Sequence, residues 1–334
     1  MPFLSFRLIL LTAVAALLVA PLLTALAQRA GLLDTPGTHI HKQHARPTPD
    51  SGGLILLVVL SATAILMGWW KKPVLAAILA PALVIFAFGL WDDLRSLPPW
   101  AKLSGQFLAA VLMVRMGVQV MIFQANWLNL LVTILWMVGI TNAFNFVDSK
   151  DGLALGLACL AAAFFLMATK NSGQPELSLL SAALLGAGTA CFYYNSPPAL
   201  FFLGDSGSQL LGFLLAGLSI SYNPPGYDQL TSWYLPILLM GVPVFDITLV
   251  VFSRLRRGLP IYQAGLDHTY HRLAALGLGS ERAVLTMHIA SFMLSFLAFS
   301  TLGLHAIVAN LIFLLLVVSG IACIYLLDRP ERRS

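Results

Sequence analysis

About eleven apolar runs, each long enough to cross bilayer hydrocarbon, follow one another along this chain with only short polar breaks. They begin near Leu8, Leu54, Val74, Leu103, Trp127, Leu153, Leu177, Gln209, Trp233, Val284 and Ala306. Inside a membrane no water is present to bond backbone N–H and C=O groups, so only helices or a closed barrel can span it. Runs this long and continuous specify helices. The expected fold is therefore all-α, a polytopic transmembrane bundle of about 11 helices forming one integral-membrane domain over residues 1–334. Short connections leave no room for a separate soluble domain. Only 10% of the residues are charged, where a soluble domain carries about 25%.

Lys and Arg set the expected orientation. With the amino terminus outside, all of the 19 Lys and Arg except Arg7, Lys71, Lys72, Arg115 and Lys170 fall on the cytoplasmic side. The same topology puts all 14 acidic residues except Glu176 and Asp228 on that side. The net charge of +5 thus reads as topology and contact with anionic lipid, not as nucleic-acid binding. Ala25-Leu26-Ala27 resembles a signal-peptidase site, but the apolar run is long and its positive charge follows it, so a retained first helix is expected. Cys159, Cys191 and Cys323 lie inside apolar runs at unrelated spacing and read as packing residues.

The inner loops carry the chemistry. Asp92 and Asp93 are adjacent, and two carboxylates beside lipid need a cation or a shared proton. Lys102 follows them. In the next inner loop, Asn142, Asn145, Asp148 and Asp151 recur every third residue, which stacks them on one helical face or turn. Hard oxygen ligands so spaced suit Mg²⁺, which takes few protein ligands and leaves room for water and phosphate oxygens. Asp205 sits between Gly204 and Ser206-Gly207, where the backbone can approach an ion and a following helix can aim its amides at an anion.

The last inner loop offers His268, His271 and Arg272 as phosphate donors, with Asp246 upstream as a buried partner of a nearby cation. Arg254, Arg256 and Arg257 read as an anchor to lipid headgroups. A zinc site on the two His is disfavoured because no Cys accompanies them. The first inner loop, with His41, Lys42, His44, Arg46 and Gly52-Gly53, is shaped for an anion or is simply topogenic. His288 and His305 read as packing residues.

Taken together, these blocks resemble the polyprenyl-phosphate N-acetylhexosamine-1-phosphate transferase superfamily, glycosyltransferase family 4. The Asp92-Asp93 pair with Lys102 and Gln106, the Asn-x-x-Asn-x-x-Asp-x-x-Asp-Gly-Leu run and Gly-Asp-x-Gly-Ser carry the resemblance, in family order from Asp34 to Leu273. It implies transfer of a sugar 1-phosphate from a UDP-sugar to a polyprenyl (undecaprenyl) phosphate, releasing UMP, with Mg²⁺ or alternatively Mn²⁺. It also implies the bacterial cytoplasmic membrane, an active site facing the cytoplasm, and compatibility with a homodimer. By motif, Asp92, Asp93 and Asp148 become catalytic candidates, and Asp205 and Asn145 metal ligands. Asp151, Asn142, Lys42, Lys102, His268, His271 and Arg272 become substrate contacts.

Ser149 stands where the family usually has Gly, and Asp50 where Arg is frequent. His268-Thr269-Tyr270-His271 replaces the three adjacent His typical of the branch that uses UDP-muramoyl-pentapeptide. That points to the branch handling UDP-GlcNAc or a related sugar. A secondary transporter is the competing class, but transporters place ionisable residues at the midplane of repeated halves, and no repeat is visible here.

Overall fold

The computed structural model describes residues 2–34, 47–225, 229–262 and 265–328. Helices dominate: α1 (Pro2–Arg29), α2 (Gly52–Leu66), α3 (Pro73–Leu94), α4 (Pro99–Arg115), α5 (Asn126–Val147), α6 (Leu153–Asn171), α7 (Pro175–Asn195) and α8 (Gly204–Ser221) come first. Then follow α9 (Gln229–Ser232), α10 (Leu235–Leu239), α11 (Gly241–Arg256), α12 (Thr269–Leu273), α13 (Gly279–Ser300) and α14 (Ala306–Leu327). The protein is a polytopic all-α membrane protein. Among the described residues, 7 helical segments are long and apolar enough to span a bilayer. The other apolar runs form shorter or more polar helices, α2, α4, α8 and α10–α11.

The run beginning at Trp233 is the one that breaks. Pro236, Gly241 and Pro243 interrupt it into α10 and α11, because Pro lacks an N–H and crowds the preceding turn. Gly241 also meets α13 closely, since a Cβ there would lie 2.9 Å from Leu294 Cδ1.

Burial ranks the helices. Residues 206–219 of α8 are all buried, so α8 is the central post of the bundle, packed between α3 and α5. A helix surrounded by protein needs no continuous lipid-facing surface, which is why Gly207, Ser208, Gln209 and Gly212 are tolerated in it. At the other extreme, only Ala309 and Ile324 of α14 are buried, and most of this strongly apolar helix is exposed, although Phe313 and Leu316 pack against the core. Cys191 is buried, but Cys323 lies exposed on α14, so packing accounts for the former and not the latter.

The described end of the first inner loop is shaped rather than loose. Strands β1 (Leu33–Asp34) and β2 (Thr48–Pro49) pair antiparallel. Phe202 N–H then donates to Pro49 O at 2.9 Å, and Gly52 N–H to Phe202 O at 3.0 Å. The start of α2 is thereby stitched to the start of α8. Gly53 permits this approach, because a Cβ on it would stand 2.6 Å from Gly207 N. His305 caps the exposed start of α14 rather than packing in its interior.

Candidate active site

Helix ends assemble the site. Asp92 and Asp93 occupy the last turn of α3, which stops where Pro98 and Pro99 impose a new start. Leu97 N–H donates to Asp92 Oδ1 at 2.5 Å and closes the turn between α3 and α4. One turn into α4, Lys102 reaches back, its Nζ 2.5 Å from Asp92 Oδ2. The same ammonium is ion-paired with Asp205 Oδ2 at the start of α8.

Asp93 plays a different part. Its Oδ1 accepts from Asp205 N–H at 2.6 Å and its Oδ2 from Ser206 N–H at 3.1 Å. A carboxylate so placed satisfies amides that the helix cannot satisfy itself. Gly204, with φ +69°, makes the approach possible, because a Cβ there would lie 2.7 Å from Asp93 Oδ2. From the last turns of α5, Asn145 Nδ2 donates to Asp205 Oδ1 at 2.9 Å and to Ser208 Oγ at 3.0 Å.

Asp148 caps α5 nearby. Burial, followed by the charges of Asp205, Asp93 and Asp151, pushes its carboxyl well above the usual carboxylate range. Asp151 Oδ2 accepts from Ala199 N–H at 3.3 Å, tying the third inner loop to the fourth. Beside it opens a cavity of ≈ 330 Å³, walled in part by Lys150, Asp151, Phe192, Glu281 and His288.

Residues 75–223 match the model of glycosyl transferase family 4. A Bacillus subtilis protein named "Probable undecaprenyl-phosphate N-acetylglucosaminyl 1-phosphate transferase" is 30% identical over 290 residues, covering 84% of this chain and 80% of that protein. The chain belongs to glycosyl transferase family 4. Within the family, "Decaprenyl-phosphate N-acetylglucosaminephosphotransferase" of Mycobacterium tuberculosis (strain CDC 1551 / Oshkosh) is 31% identical over 303 residues, 79% of this chain and 74% of that one. "Phospho-N-acetylmuramoyl-pentapeptide-transferase" of Limosilactobacillus fermentum is 32% identical over 190 residues, 52% of this chain and 60% of that one.

The family's reaction class implies a divalent metal, and the donor set here fits one. Asp92 and Asp205 share the ammonium of Lys102, Asp93 bonds the backbone of Asp205, and the charges of Asp205 and Asp93 add to burial in raising Asp148, so negative charge is in excess here. Among the described residues no three His, Cys, Asp or Glu converge as a ready-made cage. Mg²⁺ needs no such cage, being held by one or two carboxylates and completed by water and substrate phosphates.

Some family-motif residues are placed otherwise than as substrate contacts. Asn142 exchanges hydrogen bonds with the buried Gln106, donating to its Oε1 at 2.6 Å, and Gln106 donates in turn to Gln209. Arg272 turns toward the end of α14, donating to Leu327 O at 2.9 Å, to Asp328 Oδ1 at 2.9 Å and to Ser253 Oγ at 2.8 Å. The expected headgroup anchor is also corrected. Arg254 is 3% exposed and grips Asp267 in a bidentate pair, with Arg257 on the same carboxylate and Arg256 on Asp328. Arg254 and Arg257 thereby staple the loop between α11 and α12, and Arg256 the end of α14, because Asp267 and Asp328 supply the partners that lipid would otherwise provide. His268 and His271 stand together, ring centroids 6.2 Å apart. Lys42 lies outside the described residues.

Two residues escaped the sequence reading. Asn195 accepts from Gly152 N–H and donates to Phe201 O, both at 2.9 Å, joining the third inner loop to the fourth. Gly89 lets α3 touch α8, since a Cβ on it would stand 2.5 Å from Ser206 Cα. An isolated Gly within an apolar helical run was its only signal.

Proposed function

We propose that the protein transfers N-acetylglucosamine 1-phosphate from UDP-N-acetylglucosamine to a polyprenyl phosphate, releasing UMP, at the cytoplasmic face of a bacterial inner membrane. The observation that carries this reading is the convergence of Asp92, Asp93, Lys102, Asn145 and Asp205, from four helices, at one end of a membrane bundle. The names of the Bacillus and Mycobacterium relatives and the His-Thr-Tyr-His sequence favour N-acetylglucosamine over a muramoyl-pentapeptide donor. The clustering of Lys and Arg in the inner loops supports the cytoplasmic face. Membership of the family sets the transporter alternative aside.

The obstacle is the meeting of two anions. Unit charges about 5 Å apart repel by roughly 3 kcal/mol at an effective dielectric of about 20, and phosphates carry more than one charge. Lys102, poised between Asp92 and Asp205, offsets part of that repulsion, and the amino end of α8 adds positive potential. Bound Mg²⁺, with Asp205 and Asn145 as its protein ligands, would supply electrostatic stabilisation of the diphosphate and of the departing UMP. Asp93 frames the site by fixing α8, whereas Asp92 and Lys102 face the reactants. A lipid phosphate is largely dianionic at neutral pH, its second pKa lying near about 6, so Asp92 orients the attacking phosphate more than it deprotonates it.

The test is turnover by the purified protein with radiolabelled UDP-N-acetylglucosamine and undecaprenyl phosphate, read as label entering the organic phase. Label should transfer, cease on chelation and return with Mg²⁺. Asp205→Asn should lower kcat on the order of 10³-fold while leaving the thermal midpoint near wild type, the scale of loss seen when a charge-stabilising group is removed. Near-normal, metal-dependent activity of that variant would remove Asp205 from the site.

A further inference from the structure

Asp246 and His268 form a buried polar pair outside the Lys102 cluster. Asp246 lies in α11, is 0% exposed, and uses both carboxylate oxygens within the protein. Its Oδ2 stands 2.9 Å from His268 Nδ1, and its Oδ1 accepts from Thr269 N–H at 2.6 Å. Thr269 opens α12, so one carboxylate fixes both the imidazole and the amino end of the helix that follows it. On its other side the His268 ring meets Phe146 edge-on, centroids 5.6 Å apart. Phe146 is the neighbour of Asn145, which holds Asp205.

We propose that Asp246 is a positioning residue for His268, holding the imidazole by Nδ1 so that Nε2–H is the hydrogen-bond donor aimed at the diphosphate of the nucleotide sugar. This rests on the transferase reading above. The chemistry demands a carboxylate. Thr269 N–H is a donor, and a ring that donates Nε2–H to phosphate oxygens while Nδ1 faces Asp246 carries a proton on Nδ1 as well, a second donor whose added charge the carboxylate balances. Two donors converge on one side chain, and only a group with two acceptor oxygens satisfies both. An amide has one acceptor and one donor end. It would leave one of the two N–H donors facing N–H, or else force Nδ1 to give up its proton. Orientation of an imidazole by a buried carboxylate is a recurrent device wherever one ring nitrogen must meet a ligand.

The experiment is a double-mutant cycle with Asp246→Asn and His268→Asn, measured as steady-state turnover of UDP-N-acetylglucosamine with undecaprenyl phosphate. D246N should lower kcat about 10- to 100-fold, the range found for residues that orient a functional His. Donor KM should stay within about threefold, because the lost interaction is one of the transition state. In the H268N background the same substitution should cost less than about twofold, since the ring it positions is gone. A purely structural Asp246 would cost as much in either background, and that result overturns the proposal. So would a D246N enzyme within about twofold of wild type. Should D246N fail to accumulate as folded protein, Asp246→Glu enters the same cycle, keeping both acceptors but displacing the ring by one methylene. An activity-independent reading comes from histidine ¹⁵N spectra, with the His268 signal identified by its loss in H268N. It should report a protonated Nδ1 in wild type and an unprotonated Nδ1 in D246N, and an unchanged Nδ1 counts against the mechanism. Absence of turnover by the wild-type protein would instead refute the transferase reading and leave the spectral result standing.

Discussion

Gly89→Ala adds one methyl group where α3 crosses α8 and removes no reactive or charged atom, yet it should disable the site. The new Cβ would lie 2.5 Å from Ser206 Cα, 2.7 Å from Ser206 N and 2.8 Å from Asp205 O, all of them backbone. Carbon atoms rest at about 3.5–4.0 Å, so α8 must retreat by about 1 Å. That helix start carries the two amides on Asp93, now at 2.6 and 3.1 Å. Drawn away by that amount they would stand at about 3.6 and 4.1 Å, beyond useful hydrogen bonding. Hydrogen bonds to a charged acceptor contribute about 1.5–3 kcal/mol each, and overpacking adds about 1–3 kcal/mol, so the thermal midpoint in detergent should fall. Asp205 moves with the helix, and a displacement of about 1 Å at reacting groups costs about 10²-fold in rate. Turnover and thermal midpoint measured on the same preparation test both effects. A G89A protein with wild-type kcat would show that the α3–α8 contact does not set the position of Asp205.

Lys102→Met should abolish turnover by at least about 10²-fold, because it leaves Asp92 and Asp205 facing each other without their shared cation. Product formation in the radiolabel assay near the wild-type rate would refute that role. The Asp267 clasp predicts an acid-sensitive loop. Burial alone would raise its carboxyl, but Arg254, then Arg257, hold it below the usual carboxylate range. An acid depressed in the folded state contributes stability above its unfolded pKa, near about 3.9, and loses it as pH falls through the lower folded value. The wild-type thermal midpoint should therefore drop below about pH 4, and the Asp267→Asn curve should be flatter there. At neutral pH that variant should be destabilised by about 3–5 kcal/mol, since it strands the buried Arg254. Parallel curves for the two proteins would show that Asp267 is not the titrating group.

The order of the helices was legible because hydrocarbon leaves the backbone no other way to bond itself. Each apolar run reports its own state without reference to the rest of the chain. The run from Trp233, expected as one helix, instead breaks near Pro236 and Pro243 into two, and Gly241 between them packs against α13. The acidic residues of the inner loops were equally legible, since carboxylates are too costly near lipid to be scattered there without cause.

Their pairing was not legible. Asp92 and Asp93 are adjacent and chemically identical, yet one takes Lys102 and the other takes the amides of α8. Arg254 and Arg272 read as donors for an anion, and the fold gives them Asp267 and Asp328 instead. Composition and spacing act along the chain, so they settle which segments enter the membrane and which residue types gather at one end. Contacts between helices far apart in sequence act across it, and only those contacts, made possible by Gly53, Gly89 and Gly204, decide which oxygen each donor meets.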